Sequence, residues 1–248
     1  MSSAKPAPRA ITGCRNLGIL FLLLLFAAPL ATRCGLISYP LGLPLTALAV
    51  LGAALVLIMV LLMLPRVRYR AHRSRLGMIA LIAALPVIAG VVVMAPGAGL
   101  PVIHDLSTDI SDPPVFEAVL ALRGPDTNPL ARDADTDAAQ RAGYPELRTI
   151  ESVLAPAAAF AKALATARSL GWEIHATDAQ RGLLEASETT FWFGFIDDIA
   201  IRVRPYNDGS RIDLRSVSRV GRGDLGANAK RIRRFSAAFA ASGNPPTP

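Results

Sequence analysis

Three uninterrupted apolar runs occupy the first part of the chain: Leu17 to Thr32, Leu43 to Leu64 and Leu76 to Ala95. The second and third reach the ~20 residues a helix needs to cross hydrocarbon; the first, at about 16, is short. Beyond residue 96 the pattern changes. Residues 150–170, IESVLAPAAAFAKALATARSL, carry Ala and Leu at three- and four-residue spacing and predict a helix ending at Gly171, with Pro156 limiting how early its regular part starts. Four alternating segments follow, 172–178, 182–193, 198–204 and 210–220. The first two are joined near Ala179 to Arg181, and the last two through Asn207-Asp208-Gly209, a strong hairpin signal. A two-residue turn there pairs Arg204 with Asp213, Arg202 with Arg215 and Asp198 with Arg219. Ile199, Ile201 and Val203 then share a buried face with Ile212 and Leu214. A last helix opens at Asp224 as N-cap, carries Leu225, Ile232, Phe235 and Phe239 on one stripe, and stops at Gly243 and Pro245. Lys230, Arg231, Arg233 and Arg234 are spread over its remaining surface. The fold expected is a membrane-anchored α+β protein: three transmembrane helices, then a four-stranded antiparallel sheet with two helices on one face. Residues 1–96 form the anchor, with spans at about 17–32, 43–64 and 76–95, and residues 97–248 the α+β domain.

Charge divides the chain at the same place. Residues 1–96 hold nine Lys and Arg and no acid, whereas residues 97–248 hold seventeen bases and all nineteen acids. The net +7 therefore belongs to the membrane part and is no nucleic-acid footprint. Between the second and third runs, Arg66, Arg68, Arg70, Arg73 and Arg75 stand without an acid, which places that loop in the cytoplasm. The expected location is thus the bacterial inner membrane, with a cytoplasmic N-terminus after Lys5, Arg9 and Arg15 and a periplasmic domain at 97–248. The first run is either a retained helix or a signal peptide ending at the small residues of LATRC. Both alternatives leave the domain on the far side. No ionisable side chain lies in mid-run, so the helices read as an anchor or docking surface and not as a transporter. Cys14 and Cys34, roughly 30 Å apart along a helix, cannot bridge within the chain.

Residues 96–150 are rich in Pro, Gly and Asp and read as an extended lead-in, with Pro113-Pro114 forcing non-helical backbone and a short helix after Phe116. Asp105, Asp109 and Asp112 have two readings, ligands of a Ca²⁺ ion or helix caps and solvated turns.

HDLSTDISDPPVF, AGYPEL, FGFIDDIAIRVR and SRVGRGDLGANAKRIRRFSAAF resemble the bacterial and plastid family known as domain of unknown function 1499, over roughly residues 100–240. The family's pattern falls here on Thr108, Asp109, Pro113, Pro114 and Phe116, then on Asp197 and Asp198. Its closing motif falls on Ser218, Gly221, Asp224, Gly226, Asn228, Arg231, Ile232 and Phe235. The resemblance implies a domain, often with a membrane anchor, and no established activity.

Two surface features are candidates for binding. Asp198, Arg202, Arg204, Arg211, Asp213, Arg215 and Arg219 lie opposite the core face of the hairpin. They form either a solvated ladder of cross-strand ion pairs or a site for a carboxylate, phosphate or acidic partner. Arg202 and Arg215, as opposed like charges, would need an anion between them. Phe191, Trp192, Phe193 and Phe195 cannot all point inward from one strand, so some cover another element, meet a partner or sit at the membrane surface. His104 and His175 are lone, and no nucleophile elbow, P-loop, dinucleotide fingerprint or metal-ligand spacing occurs. No cofactor or metal is expected, and catalysis is disfavoured. Two functions remain: a non-catalytic interaction or assembly module for a membrane complex, in contact with the lipid bilayer and a protein partner, or a module for a lipid-like or anionic small ligand. An enzyme with an unrecognised site is third.

Overall fold

The computed structural model describes residues 8–241, so Lys5 and the predicted helix stop at Gly243 and Pro245 lie outside the described residues. The chain divides into two compact units, Met1–Pro96 with Phe191–Gly194, and Gly97–Thr190 with Phe195–Pro248.

The first unit contains α1 (Arg9–Arg33), α2 (Tyr39–Met63) and α3 (Arg73–Met94), with a 3-10 turn at Val67–His72 before α3. All three helices are long and apolar enough to cross a membrane. They begin ahead of the apolar runs, because backbone pairing continues into flanking polar residues and Pro40 is tolerated in the first turn of α2. The inward stripe of α2 is small: Ala49, Gly52, Ala53 and Val56 are buried. A Cβ on Gly52 would meet the Phe21 ring at 2.3 Å, so glycine is what admits that ring. Leu51, Leu55, Ile58 and Leu62 point outward and are exposed. An apolar exterior around small-residue contacts is consistent with a membrane anchor.

The second unit is built on a six-stranded antiparallel sheet, where four strands were expected. Its strands are β1 (Asp105–Ser107), β2 (Ile150–Ser152), β3 (Glu173–Asp178), β4 (Leu183–Thr189), β5 (Ile196–Tyr206) and β6 (Gly209–Ser218). The order is β1-β6-β5-β4-β3, and β2 pairs with β6 further along the same strand. β1 lies in the predicted lead-in and β2 at the predicted start of a helix. Three residues are too few to show alternation, and both strands exist because β6 offers them an edge. Helix α5 (Pro156–Ser169) therefore begins at Pro156, a favourable first-turn residue, and not at Ile150. A further helix, α4 (Ala134–Gly143), is capped by Asp133, whose carboxylate accepts the Thr136 N–H at 2.7 Å. The last helix, α6 (Ala227–Ala241), packs Ile232, Phe235 and Phe239 into the core. That core lies between α5, α6 and the sheet face carrying Leu184, Ile199, Ile201, Val203, Ile212 and Leu214. Trp172 stacks on Phe235 with centroids 5.5 Å apart.

The hairpin register differs from the expected one by two residues. Tyr206 pairs with Gly209, so the turn is Asn207-Asp208 and Arg202, not Arg204, stands opposite Asp213. Asn207 takes a positive φ, +49°, in that turn. Gly209 serves β2 instead: a Cβ there would lie 2.1 Å from the Ser152 carbonyl oxygen. Because the slip is even, each side chain keeps its face, and the apolar side was legible despite the wrong partners.

Candidate functional site

The face read as either a solvated ladder or an anion site is covered. Residues 109–132 lie across it, with Phe116, Val119 and Leu130 against Ala200 and Val217. Three carboxylates on this side are almost wholly buried. Asp198, with no exposed surface, accepts two Arg219 donors at 2.8 and 3.1 Å and also binds Arg123. Asp105 accepts from Arg215 at 2.6 Å and from Arg132 at 2.8 Å. Asp213 accepts from Thr149 at 2.5 Å and Arg204 at 3.1 Å, with Arg202 at 3.4 Å. Glu185 accepts the backbone N–H groups of Glu117, Ala118 and Val119 at 2.8 to 3.0 Å, capping the 3-10 turn Ala118–Leu122. Charges and hydrogen bonds thus join the lead-in to the sheet.

Arg202 and Arg215 are not opposed: Arg215 stands across from Ala200, binds Asp105 and lies over the Phe116 ring. The expected need for an anion between them is withdrawn. Asp109 and Asp112 face Arg202 and Arg204 rather than each other, and the Asp109 carboxylate also accepts the N–H groups of Ser111 and Asp112. The hydrogen bond from Arg204, with the charge of Arg202, holds Asp112 below the usual carboxylate range. Among the described residues no group of three His, Cys, Asp or Glu side chains could hold a metal ion.

The family-pattern residues of the last strands and α6 come together at the other face. Arg231, expected on the helix exterior, is 3 % exposed. It donates to Asp197 at 2.6 Å, Glu188 at 2.6 Å, Ser216 at 3.0 Å and Asn228 at 2.6 Å. Asn228 in turn donates to Ser218 Oγ and to the His104 carbonyl. The helix starts at Ala227 and not at Asp224, which lies ahead of it and accepts the N–H groups of Gly226 and Asn228. Burial pushes its carboxyl pKa up, against those two N–H groups, which favour the charged form. Leu225, expected in the core stripe, takes a positive φ of 52° and is exposed. Pro114 accepts from Arg215, and the Gly221 carbonyl accepts from Asn128. The cluster therefore locks α6 and the lead-in to the sheet.

Phe191, Trp192 and Phe193 lie in the turn between β4 and β5, not in a strand. Phe191 and Trp192 are exposed, and their segment groups with the first unit, where Trp192 meets Phe26 at 5.7 Å and Arg33 donates to the Phe191 carbonyl. His175 is less solitary than its sequence suggests: Nε2 lies 2.8 Å from Ser187 Oγ. Ser187 is 3 % exposed, so the pair is closed to a substrate.

One polar cleft of about 460 Å³ opens in the second unit where β1 and β2 meet end to end beside β6. Thr108 and Thr149 stand in its wall, and both are spent on β6: Thr108 pairs with the backbone of Leu214 and Thr149 with Asp213. Arg141, Arg148 and Arg211 also line it, and among the described residues none has a carboxylate partner. Arg148 donates only to the Pro145 carbonyl, and Arg211 lies 4.1 Å from the Tyr206 ring centroid. Tyr144 completes the wall; its buried hydroxyl has no partner among the described residues, and burial pushes its pKa up. The sequence reading missed Arg141 and Arg148, which lie in the polar passage and the link to β2 without periodicity. It also missed Arg123, Arg132 and Glu185, for which no local pattern shows that they face buried partners.

A family model described as "Protein of unknown function (DUF1499)" matches residues 105–239. No curated protein matches the chain.

Proposed function

The chain belongs to the DUF1499 family, and we propose that it is a non-catalytic interaction or assembly module tethered to the inner membrane, with residues 97–248 in the periplasm. The observation that carries this reading is the commitment of Asp105, Asp198 and Asp213 to guanidinium groups inside the second unit. Side chains suited to acid–base chemistry are used to hold the lead-in on the sheet, and the exterior is left for contact. The orientation follows from the five arginines between α2 and α3. A second reading, a module for an anionic or lipid-like small ligand, is favoured by the arginine-lined cleft.

Two experiments test the first reading. In a chain with Cys14 and Cys34 replaced by Ala, a cysteine at the exposed Val153 should react with a membrane-impermeant thiol reagent once the periplasm is open to it, while one at Val67 should react only after the inner membrane is lysed. The reverse pattern would overturn the orientation. Mild extraction from native membranes, then mass spectrometry of the intact assembly, should return a stoichiometric protein partner. A bare chain would count against the docking role.

A further inference from the structure

The guanidinium groups that the fold buries in the second unit are matched to carboxylates: Arg123, Arg215, Arg219 and Arg231 each meet one. The exposed Arg141 and Arg148 and the half-buried Arg211 meet none among the described residues, yet they converge on one concavity. Arg211 carries a further imbalance, because it pairs across the hairpin with Arg204. Like charges directly opposite are destabilising unless something lies between or beside them. Arg204 is answered by Asp112 and Asp213. On its other side Arg211 stands opposite Glu151 of β2, with which it forms no ion pair among the described residues. Asp109, the acid in the cleft wall, is already spent on Arg202 and Arg204.

We propose that this cleft is a binding site for an oxyanion, a phosphate or carboxylate group, held by Arg141, Arg148 and Arg211. The proposal rests on the second functional reading and gives it a site and a ligand chemistry. Guanidinium forks suit such groups because they give two parallel N–H donors to two oxygens of one anion. The volume exceeds that of a bare anion and falls in the range of small-molecule sites, so the ligand carries an organic portion. That portion meets Ile110, Leu147 and the ring of Tyr144. With its pKa raised, the Tyr144 phenol stays protonated at neutral pH and keeps a donor. The chemistry is shared by a soluble organic phosphate or carboxylate and by an anionic lipid headgroup.

The test uses the full chain in phosphatidylcholine nanodiscs. Inorganic phosphate should raise the melting temperature saturably, beyond sodium chloride at equal ionic strength. Arg141→Gln/Arg148→Gln should weaken that response about tenfold or more while leaving the melting temperature without phosphate unchanged, since both side chains are exposed. Should that variant fail to fold, Arg141→Lys/Arg148→Lys keeps the charge, loses the fork and should show an intermediate response. A response to phosphate in phosphatidylcholine discs identifies a soluble anion as the source. A response seen only when phosphatidylglycerol is added, and lost in the variant, identifies a headgroup. No response to either, or an equal response in wild type and variant, overturns the site. A small molecule that co-purifies equally with wild type and variant also overturns the cleft, but leaves the small-ligand reading standing.

Discussion

Strands β4, β5 and β6 bury both of their faces, and the two burials differ in kind. On one face Leu184, Ile199, Ile201 and Leu214 meet α5 and α6 through apolar contact, and charge enters at the end of that face where Asp197, Glu188 and Ser216 meet Arg231. On the other, Glu185, Asp198, Asp213 and Arg215 meet residues 105–149 through charges and hydrogen bonds. Apolar burial scales with area and has no direction, so it accepts small changes of shape. A buried ion pair gains Coulomb energy but loses hydration, so its net contribution is small while the loss of one partner is severe. The first face supplies the bulk of the stability. The second fixes where the lead-in lies.

The largest expected effect tests that contrast directly. Asp198→Ala leaves Arg219 and Arg123 without their buried carboxylate and should cost about 3–5 kcal/mol in urea unfolding of the detergent-solubilised chain. A cost under ~1 kcal/mol would erase the distinction between the faces. Asp224→Ala, just ahead of α6, should cost roughly 1–2 kcal/mol, whereas Asp224→Asn, which keeps one of the two acceptor oxygens, should cost less. Equal losses in the two variants would mean that charge, not capping, matters there. On the apolar face, Ile201→Val should cost only about 1 kcal/mol; a loss matching that of Asp198→Ala would show the apolar core to be as intolerant as the ion pairs.

Acid separates the faces last and least. Asp112 is mostly exposed, so Asp112→Asn should cost a few tenths of a kcal/mol at neutral pH. Its folded pKa is lowered, so the stabilisation is complete above the ordinary carboxylate value of ~4 and is lost as pH falls through the lowered value. The gap between wild type and variant should therefore hold from pH 5 to 8 and close in strong acid. Widening on acidification would contradict the Arg204–Asp112 pairing.

Period and turn chemistry made the apolar face readable: Ile199, Ile201 and Val203 alternate, and Asn207-Asp208-Gly209 places the hairpin. The same signals could not place the polar face, whose partners lie about a hundred residues away, as Asp105 does from Arg215. Arg231 was assigned to the helix exterior because a charged residue there is usually solvated, and only its place in the family pattern marked it out. The aromatic run was taken into a strand by composition. Gly194, with a φ of +69°, closes a turn there instead. Of the cleft's arginines, only Arg211 stood out in the sequence, as one member of the ladder. Arg141 and Arg148 acquire meaning when the lead-in folds back to the edge of β6.

That folding back has a consequence in time. Asp105 and Arg215 stand 110 residues apart along the chain, and at ~5–20 residues per second their synthesis is separated by roughly 5–20 s. For that interval β1 has no β6 to join and Asp105 keeps its water. The polar face therefore cannot close before β6 has been made, and the apolar face waits longer still, for α6 to supply Ile232, Phe235 and Phe239.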